Sequence, residues 1–257
     1  MNKNNKSYRR ISFATWAILI GAWFFVTNTN IISSQLVPSP QDVIRAFINI
    51  INNGYNSIPF WQHVGISFYR LIIAVFFALL TAIPLGLLSG YLPKFRAVID
   101  SLVNFYRPLP PLAYYMLLIL WLGIDEGSKI TLLCLASFAP IYIACSSAVG
   151  RVDESFILSA KSMGASEVQV FFSIIIPAAM PDIFVGVRTA VGIAYTTLIS
   201  AEMIAATSGM GWMIIDASRY LKSGVMFVGI ITMGITGVLI DLILRKIENK
   251  VVFWSGK

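Results

Sequence analysis

The stretch SAKSMGASEVQVFFSIIIPAAMP, Ser159 to Pro181, lies between two long apolar runs and carries a lysine, a glutamate, several small residues, a glycine in mid-stretch and two prolines. Asp153, just upstream, suits a helix N-cap, and Glu154 suits the positive end that follows. Phe156, Ala160 and Met163 fall on one face at i, i+4 and i+7. Gly164 takes the position at which helices commonly end in a left-handed residue. Ser166 opens a second helix whose run VFFSIII ends at Pro177, and Pro181 opens the next apolar run. The segment reads as helix, glycine elbow, helix, proline. It is too polar to span a bilayer and too patterned for a plain loop. Two uses fit it: an interfacial hairpin that stabilises a bundle, or a docking element that carries a soluble partner's movement into the membrane.

Composition decides the solvent around it. The 257 residues are 57% hydrophobic and only 12% charged, with a mean hydropathy of +0.78. A soluble domain carries about 25% charged residues, so this chain belongs in lipid. Lys3, Lys6, Arg9 and Arg10 precede an apolar run, as in a secretory signal, but NTNIISSQLVPSP after it offers no Ala-x-Ala cleavage site. An uncleaved first span is expected. Cys134 and Cys145 stand about 16 Å apart along one helix, too far to bridge, and read as small apolar residues.

A spanning helix needs about 20 mostly apolar residues. The candidates are Ile11–Thr27, Val64–Leu92, Pro108–Ile124, Ile130–Val149, Ile183–Thr207 and Ser223–Leu244. The expectation is an all-α integral membrane protein of about six transmembrane helices. Residues 1–30 form a cytoplasmic N-terminus and first span, 31–63 an outer loop with a short helix (Gln41–Asn53), and 64–257 a core with a cytoplasmic loop at 150–181. Most Lys and Arg fall on one side if both termini are cytoplasmic: Lys3, Lys6, Arg9, Arg10, Lys94, Arg96, Arg151, Lys161, Arg245, Lys246, Lys250 and Lys257. The outer side or its edge keeps Arg45, Arg70, Lys129, Arg219 and Lys222. The net charge of +7 is then met by anionic lipid and does not argue for nucleic acid.

Several residues call for chemistry or packing. RPLPP, Arg107 to Pro111, deletes backbone donors, which suits a break lining a pathway or a plain helix entry. Glu202 is an acid late in the fifth span, where intramembrane acids default to function; substrate contact, capping of the SGMG turn or pairing across a dimer are open. Tyr195, Thr196 and Ser200, with Thr197, put hydroxyls where a cavity could use them, or where they bond back to helix carbonyls. Gly86 and Gly90 form a small-xxx-small face, and Asp241 with Arg245 an i, i+4 ion pair. Gly209–Leu221 reads as a re-entrant or surface helix with Met213, Ala217 and Tyr220 on one face. GIDEGSKIT lacks the spacing of a phosphate loop, and Ser128 in it suits a helix cap. His63 is the single histidine, which excludes a His-dense metal site, and no G-x-S-x-G or H-E-x-x-H occurs. An intramembrane enzyme lacks its catalytic set. A secondary transporter would want internal repeats, and none is evident.

The pattern Ser159-Ala160, Gly164-Ala165, then Ile174, Ile176 and Pro177 resembles the cytoplasmic signature loop of ABC-importer permeases of the type I fold. Where that family often has Glu, this chain has Leu158, so no inference rests on that charge. FYRPLPPLAYYMLLILWLGIDEGSKI, SAEMIAATSGMGWMI and the ending VVFWSGK resemble the branch serving taurine, alkanesulfonates and nitrate, taurine permeases above all. The resemblance implies a multi-pass subunit of the bacterial cytoplasmic (inner) membrane that pairs with a second copy as a homodimer. It also implies two cytoplasmic ATPase subunits, which hold ATP and Mg, and a periplasmic or extracellular substrate-binding protein. This chain would then bind no cofactor and catalyse nothing. Glu154–Met163 would be the coupling helix, with Gly164 setting its angle.

Overall fold

The computed structural model describes residues 3–29 and 33–254. Ser255 to Lys257 and the side chains of Lys3, Lys6 and Arg9 lie outside the described residues. The described chain is helical throughout apart from turns and an isolated bridge between Tyr55 and Ile58. It divides into two compact units, Met1–Val64 with Ser208–Met233, and Gly65–Thr207 with Gly234–Lys257.

The first unit holds α1 (Lys3–Asn28), α2 (Pro40–Asn53), α10 (Met210–Arg219) and one end each of α3 (Phe60–Tyr91) and α11 (Ser223–Val251). Ser39 caps α2 reciprocally with Asp42, and Gly54 closes it at φ 73°, so the short helix expected at Gln41–Asn53 is present and begins one residue earlier. Asn56 and Ser57 turn the chain with φ of 46° and 63°. Asp216 ties that turn to α10, accepting from the Tyr55 hydroxyl at 2.8 Å and from Asn56 Nδ2 at 2.9 Å. Burial and the Asp216 carboxylate push the Tyr55 phenol up. His63 is wholly buried and stacks on Trp212; its Nδ1 accepts from the Gly209 N–H. It is a packing residue. Met213 and Ala217 are buried as a pair, whereas Tyr220 turns outward, because α10 ends at Arg219.

The second unit contains the rest of α3, α4 (Pro93–Tyr106), α5 (Pro111–Leu122), α6 (Glu126–Gly150), α7 (Glu154–Ser162), α8 (Glu167–Val170), a π-helical turn (Phe171–Ile175), α9 (Ile176–Ala205) and the rest of α11. Along α3, Ala74, Ala78 and Ala82 are fully buried, while Ile72, Phe76 and Leu80 are exposed. Small residues inside and large ones outside are what lipid requires, since hydrocarbon offers large apolar groups no reason to hide and close backbone approach drives packing. The buried stripe continues into Gly86 and Gly90. A Cβ on Gly86 would stand 2.6 Å from Cys145 Cβ, and one on Gly90 2.9 Å from the Ser146 carbonyl oxygen. Gly186 of α9 repeats the device against Ala144 of α6. Among the described residues four helices are long and apolar enough to cross a membrane: Phe60–Tyr91, Glu126–Gly150, Glu167–Ala205 and Ser223–Val251. Phe13–Asn28 and Pro111–Leu122 are shorter apolar helices, completing the six expected runs.

Two local expectations are corrected. Pro177 and Pro181 do not separate a loop helix from a span: the chain is helical without a break from Glu167 to Ala205. The π turn ends two residues before Pro177 and loosens the backbone where the missing N–H and the ring would otherwise break an α-helix. The second helix expected within 150–181 therefore runs directly into α9. Ser128 does not cap α6 either. Asp125 holds the cap position, and Ser128 Oγ donates back to its carbonyl at 2.9 Å.

Candidate coupling surface and translocation cleft

The elbow is built from backbone hydrogen bonds that explain its sequence spacing. The Asp153 carboxylate accepts from the Ser155 N–H at 2.8 Å, which holds its acid below the ordinary range and starts α7. At the other end Gly164 has φ 87°. Its N–H donates to the Lys161 carbonyl at 2.9 Å, and the Ala165 N–H reaches back to the Ala160 carbonyl at 3.1 Å. This is a Schellman cap, in which the third helical residue from the end and the two residues after the cap act together. Ala160, Gly164 and Ala165 are those three residues. Ser166 and Gln169 then close a capping box for α8. Glu167 locks the corner, pairing with Lys161 Nζ at 2.6 Å and accepting from the Tyr91 hydroxyl.

The expected single face of α7 is divided. Ala160 is buried against the helical core, whereas Phe156 and Met163 are exposed, at 61% and 83%. The cap explains this, because it turns Ala160 and Ala165 inward together. Leu158, Val168 and Phe172 are also exposed, with Glu154 and Ser159 among them. Ile174, Ile176 and Pro177 lie further along, half-buried in and after the π turn, flanking Ile175 in the core. The result is an apolar knob carried by a rigid corner.

A second feature lies where α4 gives way to α5. The turn Arg107–Pro110 is closed by the Leu109 N–H on the Tyr106 carbonyl at 3.0 Å, and the Ala113 N–H caps onto Pro110 at 2.8 Å. The turn borders a cleft of about 380 Å³ whose walls include Tyr106, Arg107, Tyr114, Ala136, Pro140 and Ile193. Thr196, one turn beyond Ile193, is exposed but donates to the Ile193 carbonyl at 2.9 Å, and Ser200 donates to the Thr196 carbonyl at 3.2 Å. Tyr195 points elsewhere, sharing a 2.6 Å hydrogen bond with Thr236 of α11. Nearby, Arg188 reaches Asp241 at 3.1 Å and Glu248 at 3.0 Å, and Asp241 also keeps the expected pair with Arg245 at 2.7 Å.

Glu202 sits in neither place. It is 1% exposed and accepts from Ser67 Oγ and Arg70 Nη1, each at 2.7 Å. Arg70 grips Glu126 with Nε and Nη2 at 2.6 and 2.7 Å, and Lys129 stands 3.5 Å from the same carboxylate. Arg70, read in the sequence as an outer-edge charge, is buried. Its partnership was missed because nothing local marks it. The available signal was one cation inside the α3 run and one acid inside the α9 run, each of which needs a partner in hydrocarbon.

The family described as "Binding-protein-dependent transport system inner membrane component" matches residues 82–253, most of the second unit and both features above. The chain belongs to that family. The permease is 38% identical over 248 residues to the taurine transport system permease protein TauC of Escherichia coli, covering 96% of this chain and 90% of that one. It is 34% identical over 245 residues to the putative aliphatic sulfonates transport permease protein SsuC of the same species, covering 94% and 92%. Its fold is similar to an inward-facing form of the MetNI methionine ABC transporter, with a TM-score of 0.65 at 15% identity over 77% of this chain and 98% of that one. It is thus the all-helical permease of an ABC importer, of the type I fold, in the inner membrane. ATP hydrolysis falls to a separate subunit, and the permease works beside an ATPase and a permease partner.

Proposed function

We propose that this permease imports a small sulfonate, with taurine as its cargo, as one half of a homodimer served by two ATPase subunits and an outer substrate-binding protein. The likeness to a taurine permease over nearly the whole chain carries this reading. Alkanesulfonate or nitrate in the same machinery is the alternative. Both termini lie in the cytoplasm, which puts the elbow beside the ATPase. The exposed knob of α7, with Glu154 and Ser159 on it, seats on the ATPase; Ala160, Gly164, Ala165, Ile174, Ile176 and Pro177 fix its angle and its link to α9. ATP-driven closure of the ATPases then tilts the permease between its two accessible states. Arg107, Thr196 and Ser200 border the path of the cargo, while Tyr195 and Glu202 hold the helices that form its walls.

The test is reconstitution of the permease with its ATPase and binding protein in proteoliposomes, with taurine, an alkanesulfonate and nitrate offered in turn. ATP-dependent uptake of taurine in preference to the others supports the cargo. Uptake of nitrate alone would transfer the same machinery to the alternative.

A further inference from the structure

The second unit contains six arginines, and five of them meet a carboxylate: Arg70, Arg96, Arg151, Arg188 and Arg245. Arg107 is the exception. It is exposed and forms no ion pair among the described residues, yet it lines the cleft of about 380 Å³, whose walls are otherwise chiefly apolar and aromatic. A guanidinium against apolar walls is an open invitation to an anion, since every donor it carries lacks an acidic acceptor of the protein.

Two further polar groups border the cleft. The Tyr106 hydroxyl is buried and makes no hydrogen bond of ordinary geometry. Pro140 has no N–H, so the Ala136 carbonyl one turn earlier loses its helical donor, and both residues line the same space. The cleft therefore presents a cation, with the Tyr106 hydroxyl buried in its wall and a helix carbonyl beside it that lacks its i+4 donor. These match the two ends of a short zwitterion that carries an oxyanion and an amine.

We propose, resting on the sulfonate-import reading, that this cleft is a weak cargo station within the permease itself. Arg107 takes the sulfonate, the Tyr106 hydroxyl adds a second donor, and the Ala136 carbonyl accepts from the amine. Arg107 is then a specificity-determining residue, and selectivity does not reside in the binding protein alone.

The experiment uses the complete complex in proteoliposomes and reads taurine taken up per ATP hydrolysed. Arg107→Gln is expected to lower that ratio by about tenfold, the effect of losing one charge-assisted hydrogen bond, and Arg107→Lys to recover part of it. Tyr106→Phe should lower it less. Arg96→Gln, which removes an arginine paired with Asp100, should leave the ratio unchanged. An unchanged ratio in Arg107→Gln overturns the station, as does an equal fall in Arg96→Gln. Anionic and zwitterionic vesicles separate cargo from lipid phosphate: a loss that appears only with anionic lipid assigns Arg107 to the headgroups and overturns the station. Absence of taurine uptake by the unaltered complex would overturn the import reading and the station together, whereas the other failures touch the station alone.

Discussion

Arg70 of α3 donates to Glu202 of α9 at 2.7 Å, and each is 1% exposed. The same guanidinium holds Glu126, at the first residue of α6, through two further bonds. Three helices thus share one cation at one level. In a membrane protein such a cluster persists because the charges are worse apart than together: a lone ion in a medium of low dielectric bears most of its desolvation cost unrelieved. The acid that looked like a site residue in the sequence is the inner half of a joint.

Arg70→Met should therefore be among the more damaging single changes in the chain, costing about 3–5 kcal/mol by leaving Glu202 buried without its cation. Glu202→Gln, which keeps the shape, should cost less and alter transport modestly. Thermal unfolding of the purified permease in detergent measures both. The double change Arg70→Met with Glu202→Met should be milder than the sum of the single ones; strict additivity would mean that the pair is not coupled.

Gly164→Pro should abolish import while the protein still inserts in the membrane. A proline cannot adopt φ 87° and removes the N–H that reaches Lys161. Gly164→Ala is the graded companion: a Cβ there meets open space, so only the left-handed backbone costs, about 1–2 kcal/mol. Uptake and membrane abundance are compared in the same cells. Normal uptake by the proline variant would end the coupling role of the elbow.

Gly90→Leu should separate α3 from α6, because the added carbons fall on Val149 and the Ser146 carbonyl. Gly192→Ala, on α9, meets nothing within 4 Å and should be tolerated. The contrast is read as yield of monodisperse protein after detergent extraction. Equal yields would show that the glycine stripe is not a packing device.

Acid should loosen the start of α2 before the spans respond. The Ser39 hydroxyl and N–H hold the Asp42 carboxyl below its ordinary value of 3.8. A folded-state value that is depressed contributes stability above the unfolded value and loses it as pH falls through the folded one. Amide exchange across Pro40–Asn53, followed from neutral pH to below that of a free aspartate and corrected for intrinsic rates, should show the loss. In Asp42→Asn, protection of α2 should stay level over the same range.

What the sequence revealed was what neighbours in sequence determine. The six apolar runs, the Asp153 and Ser166 caps, the Gly164 elbow and the Asp241–Arg245 pair all depend on residues within about one or two helical turns of each other. The faces of Gly86 and Gly90 were legible for the same reason. Arg70 and Glu202 were not, being 132 residues apart, and no spacing rule spans that distance. Thr196, Thr197 and Ser200 do bond back to helix carbonyls, a habit of hydroxyls in apolar helices that sequence alone could weigh. The helix through Pro177 was misread because proline is a sound stop signal only for regular α-helix. The π turn that bypasses it leaves no mark in residue type. Likewise the cleft needed Arg107, Pro140 and Ile193 to be brought together by three separate elements.

If the uninterrupted run from Glu167 to Ala205 moves as one rod, it makes a lever. Gly186, which packs against Ala144 of α6, stands nineteen residues from either end, 167 to 186 and 186 to 205. At about 1.5 Å per residue each arm is about 28 Å long. A rod with equal arms that pivoted at that contact would return at one end the displacement received at the other, reversed in sense and undiminished in size. Spin labels at Val168 and Ile204, both exposed, should then move in opposite directions by similar amounts relative to α6 when the ATPases close. Motion confined to the Val168 end would locate a bend in the π turn instead, making that turn the compliant part of the machine.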